Sequence, residues 1–547
     1  MAVINRNILF TWLKTHGIAL LILALATAAM FLNSPHMGNF SWSETSRNAL
    51  NGVFVRDFIR DFPISDPVGY ATQYYLKYPA LTILFYPPLF YFLSAPFYSL
   101  FGVSHTTALI PVMLSYFALG AGTYFLCRRW FSWGVAVGGA LLLMGAPEIA
   151  LWSRQVMLDI PCFAFLVCAV CFLFRYLDSH KPSDIYIATL LFLCALYIKQ
   201  TVIFMGMVWV TVFFLCHGRK LLSVRHIWFV SAGFVIGLIP LIIITVKFGA
   251  QNIESVLDSS NPNVASSALY EWVWYMMQFP AQLGWPVIIL AIAGLLLSLL
   301  SKTNRLPKRD MIVLGIWFLT GYLFFSAIDL KGARLDIFIF LPLVIIALLP
   351  IERLISGSLK PIVSITLGIS MVIITLMTQL VPKVSGYKQA VDVIADIAHK
   401  NSVVLFSGYR DGSFIFNMRA REDRHDLSIL RADKILLEVK LQRKSGVIEK
   451  GYSEDEIANM LNNYGVHYIV AQSDFWTDIE QMARLQRVLR SDRFEEIMRI
   501  PTRSNYNNKD RELRIYRNLG QVAENPPEMN MCLKIIGHCI SGAVGDK

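Results

Sequence analysis

The ionisable residues of this chain cluster in short stretches between long apolar runs, and four of these stretches could do chemistry. The first, NFSWSETSRNALNG (39–52), brings Glu44, Arg47, Trp42 and Asn48 together. The second, WSRQVMLDIP (152–161), holds Arg154 and Asp159. The third, ALYIKQTVIF, is interrupted by Lys199 and Gln200. The fourth, DLKGARLD, carries Asp329, Lys331, Arg334 and Asp336. A carboxylate can take a proton from a hydroxyl, and Arg and Lys neutralise a phosphate. Ionisable groups at the mouth of membrane spans are costly, so they tend to be paired or functional. Together the four stretches suit the handling of a phosphate whose tail lies in lipid. Each alone has a plainer reading. Glu44 is an acid in a first helical turn, favoured by the helix dipole; Arg154 and Asp159 form an ion pair closing a helical hairpin; the other two are solvated loops.

The elements that must position these residues follow from composition. The chain has 547 residues, 55% of them hydrophobic and 16% charged, with a mean hydropathy of +0.51. Soluble domains carry about a quarter charged residues, so this is a polytopic membrane protein. The net charge of +11 sits mostly in short loops, the pattern of topology signals rather than of a nucleic-acid surface. Apolar runs at 17–32, 106–126, 131–147, 160–177, 184–198, 201–216, 227–246, 284–301, 311–327, 337–350 and 361–381 predict about eleven transmembrane helices. The first reads as an uncleaved span; a signal peptide is the alternative. With the N-terminus inside, the basic loops 128–130, 178–184, 217–226, 301–310 and 352–360 all face the cytoplasm. This holds only if the run 79–102 does not cross, so that run is interfacial or re-entrant, as its Pro87-Pro88 pair suits. The four reactive stretches then share the outer face.

The expected fold is mainly α, with a transmembrane domain over 1–381 and a first outer loop at 33–105. Residues 382–547 form a small soluble α/β domain on the outer face, which is long enough for its own core. Helical spacing in YKQAVDVIADIAHK and EDEIANMLNNYG alternates with strand patterns in SVVLFSG, VHYIVAQ and ELRIYR. The aromatic cluster YEWVWYMMQF suits a membrane interface. Six of the eight cysteines lie in or beside apolar runs and read as reduced; Cys532 and Cys539 can pair in an oxidising compartment. No Cys/His spacing resembles a zinc site. Residues 43–61 predict an amphipathic helix capped by Ser43. Leu50, Val53, Phe54 and Phe58 form its apolar stripe, with Arg56, Asp57 and Arg60 on its polar side, and it suits the membrane surface.

Five stretches, SWSETSRNALNG, YPALTILFYPPLFYFLSAPFYSLFGVS, LWSRQVMLDIP, YIKQT and KGARLDIFIFLPL, occur in the order found in one known family. Across roughly residues 1–380 the chain resembles GT-C glycosyltransferases of the protein O-mannosyltransferase and lipid A aminoarabinose transferase type. SGYRDGSFIF and RADK are similar to the outer domain of its bacterial members. The resemblance implies a GT-C-like transferase that uses a polyprenyl-phosphate-linked sugar as donor and a lipid, glycan or protein as acceptor. By position, Glu44 matches the Glu of an acidic pair in the first outer loop, and Asp159 matches the supporting acid of the second. Arg334 matches a basic residue for the lipid phosphate. Three positions depart from the family: Ser43 stands where Asp is usual, Tyr86 replaces the Lys of a KPP motif, and Leu335 follows Arg334 where Tyr is usual.

These residues predict a hexosyl or pentosyl transferase acting with inversion. Glu44 and Asp159 are the catalytic candidates; Arg334, Lys331, Lys199 and Arg154 bind the donor phosphate; Arg47 and Tyr86 contact acceptor or sugar. No cofactor is required; a divalent metal is possible but not indicated. The expected location is a bacterial inner membrane, with the N-terminus cytoplasmic, the C-terminal domain periplasmic, and membrane lipids but no nucleic acid as partners. The absence of Asp at position 43 motivates an alternative, a non-catalytic subunit that binds polyprenyl phosphate or assists assembly on the same scaffold. A secondary transporter would show paired repeats and broken helices, and the sequence shows neither.

Overall fold

A computed structural model of the chain describes residues 6–248, 268–301, 303–439, 443, 446–506, 511–524, 526–533 and 538–543. Every predicted apolar run falls on a helix. Among the described residues eight helices are long and apolar enough to cross a membrane: 15–32, 105–127, 159–179, 200–223, 225–248, 308–326, 337–354 and 359–378. Two bent pairs, Trp133–Gly145 with Pro147–Ser153 and Tyr270–Leu283 with Trp285–Leu300, raise this to as many as ten if each pair is one span. The predicted run 184–198 is the shorter helix Pro182–Leu196. The protein is therefore an integral membrane protein with a mostly helical fold. The run 79–102 yields only the 13-residue helix Leu89–Phe101, preceded by irregular chain through Pro87-Pro88. A helix of that length covers about 20 Å, short of the hydrocarbon thickness.

The two bends are helix breaks absent from the sequence reading. The first, 68°, falls at Ala146, whose backbone is extended because it precedes Pro147. The second, 118°, falls at Gly284, where φ is +84°, a conformation that glycine adopts without strain.

The chain divides into two compact units. The first comprises Met1–Ser34, Pro111–Ile243 and Ile253–Leu380. Its centre is the pair of helices 133–145 and 359–378, which approach closely because a Cβ at Gly138 would overlap Ser364. Small residues at such crossings replace the hydrophobic drive that lipid cannot supply. At one end of this unit the predicted basic loops bind one another. Arg129 reaches Asp310 at 3.0 Å and Asp178 at 2.7 Å, and Trp130 donates to Asp310 at 2.6 Å. Glu352 accepts from the Ser132 backbone N–H at 2.8 Å and pairs with Lys360 at 3.0 Å. Loops 128–132, 178, 310 and 352–360 thus share one end of the bundle, as alternating spans require.

The second unit joins Pro35–Ile110 and Ile244–Asn252 to Val381–Lys547. The first outer loop, expected with the transmembrane helices, therefore groups with the C-terminal part. Its sheet runs, edge to edge, Ser428–Arg431, Val403–Ser407, Val466–Ala471, Glu512–Asn518 and Phe494–Pro501. The first three strands are parallel and the last two antiparallel. Helices Tyr387–Ile397 and Glu454–Asn463 each precede a parallel strand, as the alternating patterns predict. A hairpin, Glu528–Leu533 with His538–Ala543, sets Cys532 opposite Cys539, and Cys539 is disulfide-bonded.

The helix Ser43–Asp61 forms over the predicted range, yet differs from the prediction at both ends. Trp42, not Ser43, is its N-cap residue, and no side chain caps it. Arg56 and Asp57, expected on a polar face, are buried. The reason is an ion network with the helix Asp411–Ala420. Asp57 accepts from Arg56 at 2.7 Å, Arg419 at 2.6 Å and the Tyr74 hydroxyl at 2.9 Å, and Arg56 also reaches Glu422 at 3.0 Å. Near the other end a Cβ at Gly412 would overlap the Ser46 hydroxyl, so glycine there lets the two helices pack closely without moving that side chain.

Candidate functional site

In the membrane unit, two of the reactive stretches and the turn at 199 gather at the end of the bundle opposite the basic loops. Asp159, at the start of the helix Asp159–Ser179, pairs with Lys199 at 2.5 Å. Both side chains are almost fully buried, and Asp159 Oδ2 has no hydrogen-bond partner among the described residues. Arg154 is not the partner of Asp159. It is wholly enclosed, donating to the Ala150 carbonyl at 2.8 Å and to Asn33 at 2.8 Å, with Nη2 unsatisfied. The predicted Arg154–Asp159 pair is thus replaced by Lys199–Asp159, because the guanidinium caps the carbonyl end of the short helix Pro147–Ser153.

The turn 328–336 separates its two cations. Lys331 donates to the carbonyls of Ser326 at 2.6 Å and Ile328 at 2.5 Å, closing the end of the helix Lys308–Ser326. Arg334 is half-buried, and its guanidinium lies over the Trp152 ring, 5.4 Å from the centroid, a cation–π contact. The Trp152 indole N–H donates to Glu148 at 2.6 Å. Asp336, named in the sequence only as part of a charged turn, is fully buried and accepts from Gln282 at 2.7 Å. The sequence reading gave Glu148 no role. Its signal was the i, i+4 spacing to Trp152, which puts acid and aromatic on one helix face.

In the second unit, Glu44 sits half-buried in the first turn of the helix Ser43–Asp61. Arg47, one turn on, lies 3.6 Å from Asp411, and Arg431 reaches the same carboxylate at 2.5 Å. Arg431 also binds Asp433 with two hydrogen bonds, 3.0 and 2.7 Å. Burial alone would raise the Asp411 carboxyl; the Arg431 and Arg47 charges outweigh it and hold the group below its usual range. The motifs SGYRDGSFIF and RADK thus meet in a single charged cluster. Tyr86 is half-buried beside Phe85, with ring centroids 5.0 Å apart.

Lys434 completes the RADK motif. Burial first, and then the Arg431 charge, push its ammonium down to about 8. At pH 8 roughly half of it is therefore free amine, against well under 1% for an ordinary lysine. Acylation of Lys434 by a water-soluble amine reagent, followed by peptide mass spectrometry, is expected to titrate with a midpoint near pH 8. A profile that still rises steeply at pH 10 would show the cluster is not formed as described.

Residues 86–244 match the sequence family described as dolichyl-phosphate-mannose-protein mannosyltransferase. No curated protein matches the chain. Among solved structures it is similar to ArnT from Cupriavidus metallidurans bound to undecaprenyl phosphate, at 14% identity and a TM-score of 0.63. That likeness covers 93% of this chain and 99% of ArnT. The apo state of the same ArnT matches at 13% identity and a TM-score of 0.61, with equal coverage. The oligosaccharyltransferase of Archaeoglobus fulgidus, in its apo form, matches at 11% identity and a TM-score of 0.50, over 86% of this chain and 71% of that one. The chain therefore has the GT-C glycosyltransferase fold that its motifs resemble.

Proposed function

We propose that this protein is a glycosyltransferase that moves a sugar from a polyprenyl-phosphate donor to a hydroxyl acceptor, with inversion, at the outer face of a bacterial inner membrane. The observation that supports this most is the ArnT-like fold over nearly the whole chain, because that ArnT was captured with undecaprenyl phosphate. In the proposed topology the N-terminus is cytoplasmic and the C-terminal part periplasmic.

Glu44 takes the proton of the acceptor hydroxyl as its oxygen attacks the anomeric carbon. The bond from that carbon to the phosphate oxygen breaks, and its electron pair leaves with the polyprenyl phosphate. Arg334 meets the phosphate as charge develops on it, an electrostatic contribution larger in a water-poor site than in bulk solvent. Arg47, held by Asp411, orients acceptor or sugar, and Tyr86 lines the approach. Asp159 and Lys199 support the site as a pair, since each already neutralises the other. Arg154 and Lys331 serve the same end by fixing the chain on either side of Trp152 and Arg334, being committed to carbonyl oxygens.

The test is transfer from radiolabelled polyprenyl-phosphate sugars by the purified full chain, with anomeric analysis of the product. A single inverted anomer is expected, and a retained configuration would overturn the single-displacement mechanism. Ser43 beside Glu44 supports the second reading, a non-catalytic binder; tight binding of polyprenyl phosphate with no transfer to any acceptor would establish it.

A further inference from the structure

We propose that Glu148 is the specificity-determining residue that reads the hydroxyls of the donor sugar, working with Trp152 and Arg334 as one headgroup subsite. The inference rests on the proposed use of a polyprenyl-phosphate sugar. The three residues come from two separate stretches, the helix Pro147–Ser153 and the turn before Ile337, and the fold brings them into direct contact. All three are half-buried.

Their chemistries are complementary to the parts of a sugar phosphate. The Glu148 carboxylate accepts the Trp152 indole hydrogen through Oε1 alone, at 2.6 Å. Oε2 has no donor among the described residues, and no ion pair holds the group. A carboxylate has about four acceptor positions, so a ligand hydroxyl can donate to Glu148 beside the indole N–H. Arg334 lies over the indole ring, and Arg154 points into the protein towards Asn33 and the Ala150 carbonyl. What remains open is an acceptor for hydroxyl donors beside a guanidinium suited to a phosphate. The indole between them presents an apolar edge to the sugar ring. Its N–H bond also fixes the Glu148 rotamer, so the carboxylate is preorganised rather than searching.

The experiment compares two ligands on the full chain in lipid nanodiscs: decaprenyl phosphate, and decaprenyl phosphate carrying a sugar, drawn from mannose, glucose and arabinose. Glu148→Gln keeps the size of the side chain and the bond to Trp152 but removes the charge. It is expected to weaken the best sugar-linked ligand by about 10- to 100-fold, the scale of a hydrogen bond to a charged group, and to leave decaprenyl phosphate within about twofold. Arg334→Gln is expected to weaken both ligands equally. The preference among the three sugars should also flatten in Glu148→Gln. Equal loss on both ligands, or no loss on either, would overturn the assignment. If the wild type binds sugar-linked lipid selectively yet transfers to no acceptor, the transferase reading fails while the subsite stands. If the wild type binds neither lipid, both fail. Matching thermal unfolding of variant and wild type separates a binding defect from misfolding.

Discussion

Glu44→Gln is expected to lower sugar transfer by about 10²- to 10⁴-fold, the usual contribution of a general base. The amide is nearly isosteric with the carboxylate, so the half-buried first turn of the helix Ser43–Asp61 keeps its geometry while losing its basicity. The effect should fall on kcat, with the donor KM within a few fold, because the group acts on the acceptor proton in the transition state. Glu44→Asp retains a base on a shorter arm and should recover part of the loss. Turnover is measured with radiolabelled donor; full activity in Glu44→Gln would remove the residue from the mechanism. Ser43 sharpens this prediction. A serine hydroxyl has no useful basicity near neutral pH, so it cannot take over when its neighbour is replaced.

The largest stability effect is expected at Asp57. Its carboxylate faces Arg56 and Arg419 together, with the Tyr74 hydroxyl as a third donor, and all four are buried. Asp57→Ala leaves two guanidiniums in a dry environment, a change that costs about 3–5 kcal/mol when one partner of a buried pair is removed. Glu422, within 3.0 Å of Arg56 and 3.6 Å of Arg419, offsets part of this, which points to the lower end of that range. The double variant Asp57→Ala, Arg419→Met removes charge from both sides and should be markedly less destabilised than the sum of the singles. Thermal unfolding in detergent gives the size of the loss, and hydrogen exchange over 43–61 and 411–420 locates it. Unchanged protection of both helices in Asp57→Ala would show that the network does not hold them.

The spans were legible because lipid imposes a length and an apolar composition on every crossing helix, and each predicted run became a helix. The bends at Ala146 and Gly284 were less so. Pro147 and Pro286 sit at helix starts, where proline is tolerated, and nothing local distinguishes a start from a break. The partner of Asp159 was misread because sequence proximity favoured Arg154, five residues away, over Lys199, forty residues away. Polar partnership in a helical bundle is set by which loops share an end, and spacing along the chain does not carry that information. Arg56 and Asp57 were misplaced for a related reason. A helix reads as amphipathic on charge alone, whereas these charges meet counter-charges on Arg419 and Glu422 more than 350 residues later. Among the candidate site residues, Arg334 and Glu44 are half-buried, while Arg154, Lys199 and Lys331 are held by hydrogen bonds or ion pairs within the protein.

The assembly of Pro35–Ile110 with Val381–Lys547 bears on how the protein is made. The Asp57–Arg419 bond closes a loop of 362 residues. At 5–20 residues per second, the helix Ser43–Asp61 emerges roughly 20–70 s before its counter-charges exist. During that interval Asp57 and Arg56 depend on water or a chaperone for solvation. A premature stop between codons 381 and 410 would leave that helix without its partner, even though every described helix of the first unit had already been synthesised. Chains truncated in that interval should therefore be recognised through the early loop rather than through the missing tail.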